Sequence, residues 1–215
     1  MRFGVLGTGT VGDAIASKLV ALGHEVKMGA RDARNEKAAA WVARSGARAS
    51  QGSFADAASF GELLFNCTSG AGSLEALKAA GEANLAGKVL IDIANPLDFS
   101  KGMPPTLFVS NTDSLGEQLQ RAFPKTHVVK TLNTLNAQLM VAPGSLAGGD
   151  HDLFMSGNDA AAKGKVKELL QSFGWKTIHD LGDITTARGT ESILPLWIRL
   201  WGALGSPSFN FKIVR

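Results

Sequence analysis

Three glycines near the start of the chain are spaced as Gly7-x-Gly9-x-x-Gly12, and they follow directly on the apolar run at residues 3–6. A helical spacing of apolar residues begins within the motif, at Val11. The order strand, glycine turn, helix brings backbone N–H groups up to the pyrophosphate of a dinucleotide. Gly7 permits the tight turn, Gly9 the close approach of the phosphates and Gly12 the packing of the helix on the strand. We therefore predict a dinucleotide-binding turn, with an ordinary glycine-rich turn as the alternative.

The end of the second predicted strand, at residues 25–28, indicates which dinucleotide would fit. An NAD-binding start usually has Asp or Glu about 20 residues past the glycine motif, to bind the ribose 2′-hydroxyl. If the strand continues by two residues, that position is Ala30, which cannot accept this hydrogen bond. Arg31 and Arg34 follow, and their planar donors suit a 2′-phosphate, so we predict NADP. The rival interpretation makes Asp32 the ribose acid, whereas we expect Asp32 to cap the next helix.

No other residue pattern in the chain predicts a catalytic group. The four histidines are far apart, so we expect no metal site, although residues 150–152 look like a fragment of one. Cys67, at a predicted strand end, is more typical of a small buried hydrophobe than of a nucleophile. We expect Lys130 to pair with a carboxylate and Asp92 to accept hydrogen bonds from neighbouring loops. Hydride transfer between two redox cofactors needs mainly positioning and exclusion of water, which fits the lack of an acid–base pair.

Strand-like and helical segments alternate along the chain. This predicts a Rossmann-type α/β fold, with a doubly wound, mainly parallel sheet and a short C-terminal appendage of helix and strand. In such a sheet the ligand lies over the carboxyl ends of the strands, where the strand order reverses. Beyond those already named, we predict strands at 47–49, 63–66, 88–93, 126–130, 152–156, 176–179 and 209–214, and helices at 35–45, 74–83, 115–122, 160–173 and 186–201.

Composition limits the class of protein. The chain has 215 residues, of which 45% are hydrophobic and 19% charged, so we interpret 1–215 as a single NADP-binding domain with an appendage at 184–215. The net charge of +3, without a Lys/Arg cluster, predicts that neither nucleic acid nor a membrane is a partner. One cysteine, and a glycine motif so close to Met1 that no signal peptide fits before it, lead us to expect a cytoplasmic protein.

The C-terminal segment 191–201 is apolar nearly all round, so a helix there must be buried against something. We favour packing on the domain's own sheet or on a second subunit, as in a homodimer. The alternative is contact of Leu196, Trp197 and Trp201 with a flat aromatic ligand.

Taken together, these residues resemble the family of coenzyme F420-dependent NADP oxidoreductases over nearly the whole chain. The segments that carry the resemblance are 7–12, 23–26, 29–31, 93–96, 129–134, 156–159 and the apolar C-terminal helix. The later segments, above all 129–134, are similar also to the cytoplasmic oxidoreductase domains of the six-transmembrane metalloreductases. Those domains bind NADPH with the same fold and pass electrons to flavin.

The resemblance implies contacts with both ends of the dinucleotide. The residues that would cradle the pyrophosphate are Thr8, Gly9, Thr10 and Val11. Arg31 would bind the 2′-phosphate. The family often has Ser before this arginine and Lys a few residues later, where this chain has Ala30 and, approximately, Asn35, so Arg34 would substitute. The residues that would line the nicotinamide half of the site are Cys67, Thr68, Ala94 and Asn95. Asn133, Thr134 and the C-terminal helix would border a second, flavin-like ring.

The resemblance predicts an NADP(H)-dependent oxidoreductase that transfers hydride between nicotinamide and a second redox cofactor, which is its substrate. That cofactor would be coenzyme F420 or a flavin, FMN or FAD. An NADPH-dependent flavin or ferric reductase is the alternative enzyme, and a non-catalytic NADP(H)-binding redox sensor is an alternative of another class. A slot for a tricyclic ring beside the nicotinamide would favour the enzymes, and a cleft without such room would favour the sensor.

Overall fold

A computed structural model describes residues 1 to 215. The strands are β1 (Arg2–Leu6), β2 (Glu25–Ala30), β3 (Ala49–Ser53), β4 (Leu63–Asn66), β5 (Val89–Asp92), β6 (Leu97–Asp98), β7 (Thr106–Leu107), β8 (His127–Thr131), β9 (Asp152–Gly157) and β10 (Thr177–Asp180). Eight of them form one sheet in the order β10-β9-β8-β5-β4-β1-β2-β3, and β6 pairs with β7 as a separate hairpin. The six strands from β3 to β8 in this order are parallel, while β9 runs antiparallel to β8 and β10 parallel to β9. The predicted doubly wound, mainly parallel sheet is confirmed.

Helices cover both faces of this sheet. They are α1 (Thr10–Ala21), α2 (Glu36–Ser45), α3 (Phe54–Phe60), α4 (Gly70–Ala80), α5 (Glu82–Leu85), α6 (Leu115–Ala122), α7 (Ala137–Val141), α8 (Ala160–Phe173), α9 (Ala187–Ser192) and α10 (Leu194–Leu204), with short 3-10 helices at Pro143–Ser145, Ala147–Gly149 and Ile184–Thr186. Side chains of the central strands alternate between two buried layers. Val5 belongs to the layer that includes residues of α1, α2, α7 and α8, and Leu6 to the layer that includes residues of α3, α4 and α6.

The register of the parallel strands places their last residues in one row. Leu6 pairs with Gly29 on one side and with Asn66 on the other, Asn66 pairs with Asp92, and Asp92 with Lys130. The chain order reverses between β1 and β4, because β2 and β3 lie on one side of β1 and β4, β5 and β8 on the other. The loops that leave this row therefore meet above the β1–β4 junction, where ligands bind in sheets of this type.

Several element boundaries differ from the predictions. β3 begins at Ala49, where the predicted strand ends, and α3 follows it unpredicted. The missed signal for α3 is a capping box: the Ser53 hydroxyl accepts from the backbone N–H of Asp56, and the Asp56 carboxylate accepts from that of Ser53. The predicted C-terminal helix is two helices, because Pro195 has no N–H with which to continue the ladder from α9 into α10.

The predicted strand at 209–214 is wrong: this segment belongs to neither sheet. One ladder-like bond holds it to β9, from the backbone N–H of Asp152 to the carbonyl of Phe211. The backbone N–H of Ile213, which a strand pair would use for a ladder bond, instead donates to the Asp152 carboxylate, 2.7 Å away. Phe209 stacks on Trp197 of α10 with ring centroids 5.1 Å apart, so the alternating apolar residues serve helix packing and not a strand pair.

No helix is long and apolar enough to cross a lipid bilayer.

Candidate functional site

The glycine turn between β1 and α1 has two glycines that the fold itself requires. Gly7 has φ +120°, and a Cβ there would lie 2.6 Å from the carbonyl oxygen of Cys67. A Cβ on Gly12 would lie within 2.9 Å of the carbonyl carbon of Gly7, so this glycine lets α1 approach the turn. Gly9 differs, because a Cβ there would meet nothing within 4 Å. The space in front of Gly9 is open, and packing within the chain gives no reason for a glycine.

The first turn of α1 offers free backbone donors to this space. Gly9 is the N-cap residue of α1 and has no side chain that could cap the first N–H groups. Such a helix start favours an anion through its unpaired amides and through the positive end of the helix dipole. Turn, open space and donors together fit a pyrophosphate.

A cavity of about 500 Å³ lies beside the glycine turn. Its lining includes Thr8, Gly9 and Thr10 from the turn, and Lys37, Arg44 and Gln138 from α2 and α7. Arg44 pairs with Asp13 of α1, whereas Lys37 forms no salt bridge. The cavity therefore has one uncompensated positive charge on the wall opposite the turn.

Arg31 and Arg34 are exposed where β2 ends, and neither forms a salt bridge. The strand does continue to Ala30, which is buried. The predicted capping role of Asp32 is wrong: Asn35 caps α2 by accepting from the backbone N–H of Ala38, 3.1 Å away. The Asp32 carboxylate instead accepts from the backbone N–H of Arg34 at 2.9 Å, which folds the loop after β2.

A larger cleft, of about 740 Å³, lies over the row of strand ends. Predicted site residues that line it are Val11, Cys67, Thr68, Ala94 and Asn95. The opposite wall comes from the hairpin region, through Phe99 and Phe108, and from Leu115 and Gln118 of α6. Most of the lining is apolar, which suits a flat ring held away from water.

The cleft adjoins a narrower slot of about 140 Å³, and the two share Asn95, Leu97, Phe99 and Leu135. The slot is lined further by Asn133 and by four residues of α10, Leu194, Trp197, Ile198 and Trp201. The rings of Trp197 and Trp201 are 5.8 Å apart. The structure thus places Asn133 and the C-terminal helix beside the cleft, on the side away from the glycine turn.

Two asparagines fasten the walls of cleft and slot to each other. The Asn95 side chain donates to the carbonyl of Asn133 at 2.7 Å, and the Asn133 side chain donates to Oδ1 of Asn95 at 3.0 Å. Asn133 also donates to the carbonyl of Thr190, 2.9 Å away in α9. The Asn133 side-chain N–H groups therefore hold the loops after β5 and β8 to α9 and are not free for a ligand.

A fully buried ionic cluster lies beneath the same walls. Nζ of Lys130 is 2.8 Å from Oδ2 of Asp92 and 2.8 Å from Oε1 of Glu191, and it also donates to the carbonyl of Ala94. Burial by itself would lower the pKa of Lys130, but the two carboxylates raise it above its ordinary value. The expected pairing of Lys130 with a carboxylate is confirmed, and Asp92 accepts from Asn66 and Ala94 as expected.

The remaining candidate groups have structural partners. Burial, with a smaller contribution from Asp92, raises the pKa of the Cys67 thiol far above its ordinary range, so the thiol is protonated and a poor nucleophile. Asp150 pairs with Lys212, and the ring of His151 contacts the carbonyl of Pro143 and the side chain of Asn210. No group of three or more His, Cys, Asp or Glu side chains is arranged to hold a metal ion.

Comparison with known proteins identifies the family. Residues 2–96 match the family described as NADP oxidoreductase, coenzyme F420-dependent. A protein from Arthrobacter sp. FB24, provisionally described as an F420-dependent NADP reductase, has a crystal structure that aligns with a TM-score of 0.97 and 60% identity over 100% of both chains. The chain belongs to the coenzyme F420-dependent NADP oxidoreductase family.

Two curated relatives are more distant. The F420-dependent NADP reductase of Methanothermobacter marburgensis is 28% identical over 210 residues, which are 93% of this chain and 92% of that protein. Metalloreductase STEAP3 of Rattus norvegicus is 28% identical over 200 residues, or 91% of this chain. The chain spans only 38% of the length of STEAP3. The predicted resemblance to the F420-dependent NADP oxidoreductases, a family of NADP-dependent oxidoreductases, is confirmed.

Sequence reasoning missed some residues that the fold brings to these cavities. Lys37 lies two residues beyond Asn35, the position at which we placed the lysine of the family pattern. Phe99 and Phe108 directly follow the two strands of the β6–β7 hairpin, and these two-residue strands are too short for periodicity to reveal. Glu191 stands between Thr190 and Ser192, just before the apolar C-terminal stretch, and its neighbours in sequence give no signal that it has a buried partner.

Proposed function

We propose that this chain binds NADP(H) across the row of strand ends and transfers hydride between the nicotinamide and a deazaflavin, coenzyme F420, or a flavin. The observation that carries this proposal is the pair of adjoining spaces, the cleft of about 740 Å³ and the slot beside it lined by Trp197 and Trp201. A cleft closed beside the nicotinamide would have favoured a redox sensor. The open, apolar space supports an acceptor ring as second ligand.

The adenosine end of NADP(H) would lie at the glycine turn and the end of β2. The pyrophosphate would be held by Gly7, Thr8, Gly9, Thr10, Val11 and Gly12. Arg31 and Arg34 would bind the 2′-phosphate, because both are exposed and free of salt bridges. Lys37 adds a third unpaired cation on the wall of the cavity beside the turn.

The two rings would meet in the cleft. Cys67, Thr68, Ala94 and Asn95 line the cleft and would surround the nicotinamide. Asn133 would act through the loops that it fastens together, since its N–H groups are already bonded. We assign no residue as acid or base: the nicotinamide supplies the hydride chemistry when bound, and the chain supplies position and a dry environment.

The test follows NADPH oxidation by absorbance with coenzyme F420, FMN, FAD or a ferric chelate as acceptor. We expect turnover with F420 or with a flavin. Turnover with the ferric chelate alone would make the chain a metal-ion reductase, the second candidate, which the similarity to metalloreductase STEAP3 favours. Tight NADPH binding without turnover on any acceptor would refute the oxidoreductase proposal and leave the sensor.

We propose further that the chain is a cytoplasmic homodimer. Leu196, Trp201 and Leu204 of α10 are at least 42% exposed in the single chain, and a second copy would cover such an apolar helix face. Light scattering coupled to size-exclusion chromatography measures the mass directly. A monomer mass at micromolar concentration would contradict the dimer and leave the hydride-transfer proposal standing.

A further inference from the structure

The buried cluster of Asp92, Lys130 and Glu191 contains two carboxyl groups and one ammonium group. All three side chains are at most 2% exposed. The three protons of the ammonium group are all in use, on Asp92, on Glu191 and on the carbonyl of Ala94. No further cation reaches either carboxyl group, so the formal charge depends on whether both carboxyl groups are ionised.

The hydrogen-bond partners indicate that both are ionised. Asp92 accepts from the side-chain amide of Asn66 at 2.8 Å and from the backbone N–H of Ala94 at 3.2 Å, in addition to Lys130. Glu191 accepts from the backbone N–H groups of Leu115 and Gly116, at 2.7 and 3.0 Å, in addition to Lys130. A protonated carboxyl group needs an acceptor for its proton, and neither group has one within reach. The cluster therefore has a net charge of −1, which the start of α6 offsets only in part.

This charge lies directly behind the wall of the cleft. The backbone N–H of Ala94 donates to Asp92, and the carbonyl of the same residue accepts from Lys130. Ala94 also lines the cleft, beside Asn95 and Ile93. A single residue thus separates the charged cluster from the space where the nicotinamide would lie under the proposed function. Because the three side chains are buried within the protein, the field of the cluster reaches the cleft with less screening than it would through bulk water.

We propose that this cluster, through Glu191, makes the cleft prefer the oxidised nicotinamide to the reduced one. The oxidised ring has a positive charge and the reduced ring is neutral, so a negative charge behind the wall stabilises only the oxidised form. Binding NADP⁺ more tightly relative to NADPH increases the tendency of bound NADPH to give up its hydride. Glu191 is accordingly a residue that tunes the cofactor and does not touch it. The inference rests on the proposed binding of NADP(H) in this cleft.

The test compares dissociation constants for NADP⁺, NADPH and 2′,5′-ADP, which lacks the nicotinamide, in the wild type and in Glu191→Gln. A unit charge acting over roughly 10 Å at an effective dielectric constant of about 20 to 40 changes an equilibrium constant about four- to seventeenfold. We therefore expect the ratio of Kd for NADP⁺ to Kd for NADPH to rise about four- to seventeenfold in Glu191→Gln, with the Kd of 2′,5′-ADP unchanged.

Glu117→Gln is the matched control. Glu117 is also a buried glutamate between α6 and α9, but its partner is Arg188, bonded at 2.8 and 2.6 Å and partly open to solvent. Removing the negative charge of Glu117 should lower the free energy of unfolding and leave the ratio of Kd for NADP⁺ to Kd for NADPH unchanged. Asp92→Asn is the second variant, for use if Glu191→Gln fails to fold. It removes the same charge from the other carboxylate, so it should also raise the ratio of Kd for NADP⁺ to Kd for NADPH.

The outcomes separate the two proposals. A ratio that stays within twofold of the wild type in Glu191→Gln, or in Asp92→Asn if only that variant folds, would overturn the electrostatic role. Equal weakening of all three ligands would overturn it as well, because it would indicate a purely structural effect. A wild-type protein that binds neither form of NADP would refute the proposed function itself.

Discussion

Gly9 offers a way to remove ligand binding without disturbing the fold. Its φ and ψ are −80° and −176°, which any residue adopts, and a Cβ there would meet no atom within 4 Å. Gly9→Ala lowers the entropy of the unfolded chain, which stabilises by about 0.4 to 1 kcal/mol. It also replaces a glycine N-cap by a poorer one, at a cost of about 0.5 to 1 kcal/mol. The two effects nearly cancel, so we expect the free energy of unfolding to change by less than about 1 kcal/mol.

The same methyl group should strongly weaken NADPH binding. It would project into the space in front of α1, where the pyrophosphate would approach the free N–H groups of the first turn. Lengthening those charge-assisted hydrogen bonds removes about 1.5 to 3 kcal/mol, which is a ten- to hundredfold increase in Kd. Fluorescence titration with NADPH measures the Kd, and urea denaturation with circular dichroism measures stability.

Gly12→Ala serves as the comparison, because we expect this substitution to lower the stability of the fold, whereas Gly9→Ala should leave it nearly unchanged. Its Cβ would lie within 2.9 Å of the backbone carbon of Gly7, and backbone cannot rotate aside as a side chain can. We expect a loss of about 3 kcal/mol and a fall in Tm of ~6 to 12 °C. Wild-type NADPH affinity in a folded Gly9→Ala protein would refute the placement of the pyrophosphate at this turn.

Four further predictions concern other parts of the site. Arg31→Ala should raise the Kd of NADPH about tenfold or more and that of NADH less than twofold in the same titration; equal losses would contradict the 2′-phosphate role. Lys130→Met leaves two buried carboxylates without their cation, so urea denaturation should give a free energy of unfolding about 3 to 5 kcal/mol lower. Trp201→Ala should raise the KM of the acceptor about tenfold in the NADPH oxidation assay and leave the Kd of NADPH unchanged, because Trp201 lines the slot and not the glycine turn. Cys67 should not react with a thiol reagent at pH 8 in the folded protein, because its raised pKa keeps the thiolate fraction low until the pH exceeds the ordinary thiol range; rapid labelling would contradict this.

The cofactor end of the site could be predicted from sequence because its signals are local. The glycine turn, the strand before it and the helix after it lie within 2–21, and the expected continuation of β2 to Ala30 fixed the position of Arg31. Periodicity also placed α6 and α8 at the observed bounds, since both helices are amphipathic and capped by Ser114 and Asp159. Asp32 was assigned the wrong role because Asp and Asn are equally good N-caps, and only the fold shows which of two nearby residues is used.

The charged cluster was predictable only in part. A lysine at a buried strand end needs a carboxylate, and Asp92 is the residue paired with Lys130 across β5 and β8. The second carboxylate, Glu191, is contributed by α9, which no strand pairing connects to β8. Its position depends on how α9 packs against the start of α6, a tertiary contact to which the spacing of residues along the chain gives no clue.

The slot that would hold the acceptor under the proposed function depends on distant segments, and this explains why the acceptor is harder to infer than the cofactor. Its walls are joined by a bond from Asn133 to Asn95, 38 residues away, and by one from Asn133 to Thr190, 57 residues away. The family match at 2–96 includes the turn that would hold the dinucleotide but ends before Asn133 and α10. Substitutions in α10 or in the β6–β7 hairpin can therefore reshape the slot and leave the glycine turn intact. Under the proposed function, relatives with the same turn could differ in the acceptor that receives the hydride. We therefore expect the choice among deazaflavin, flavin and metal to depend on residues of the slot such as Phe99, Trp197 and Trp201.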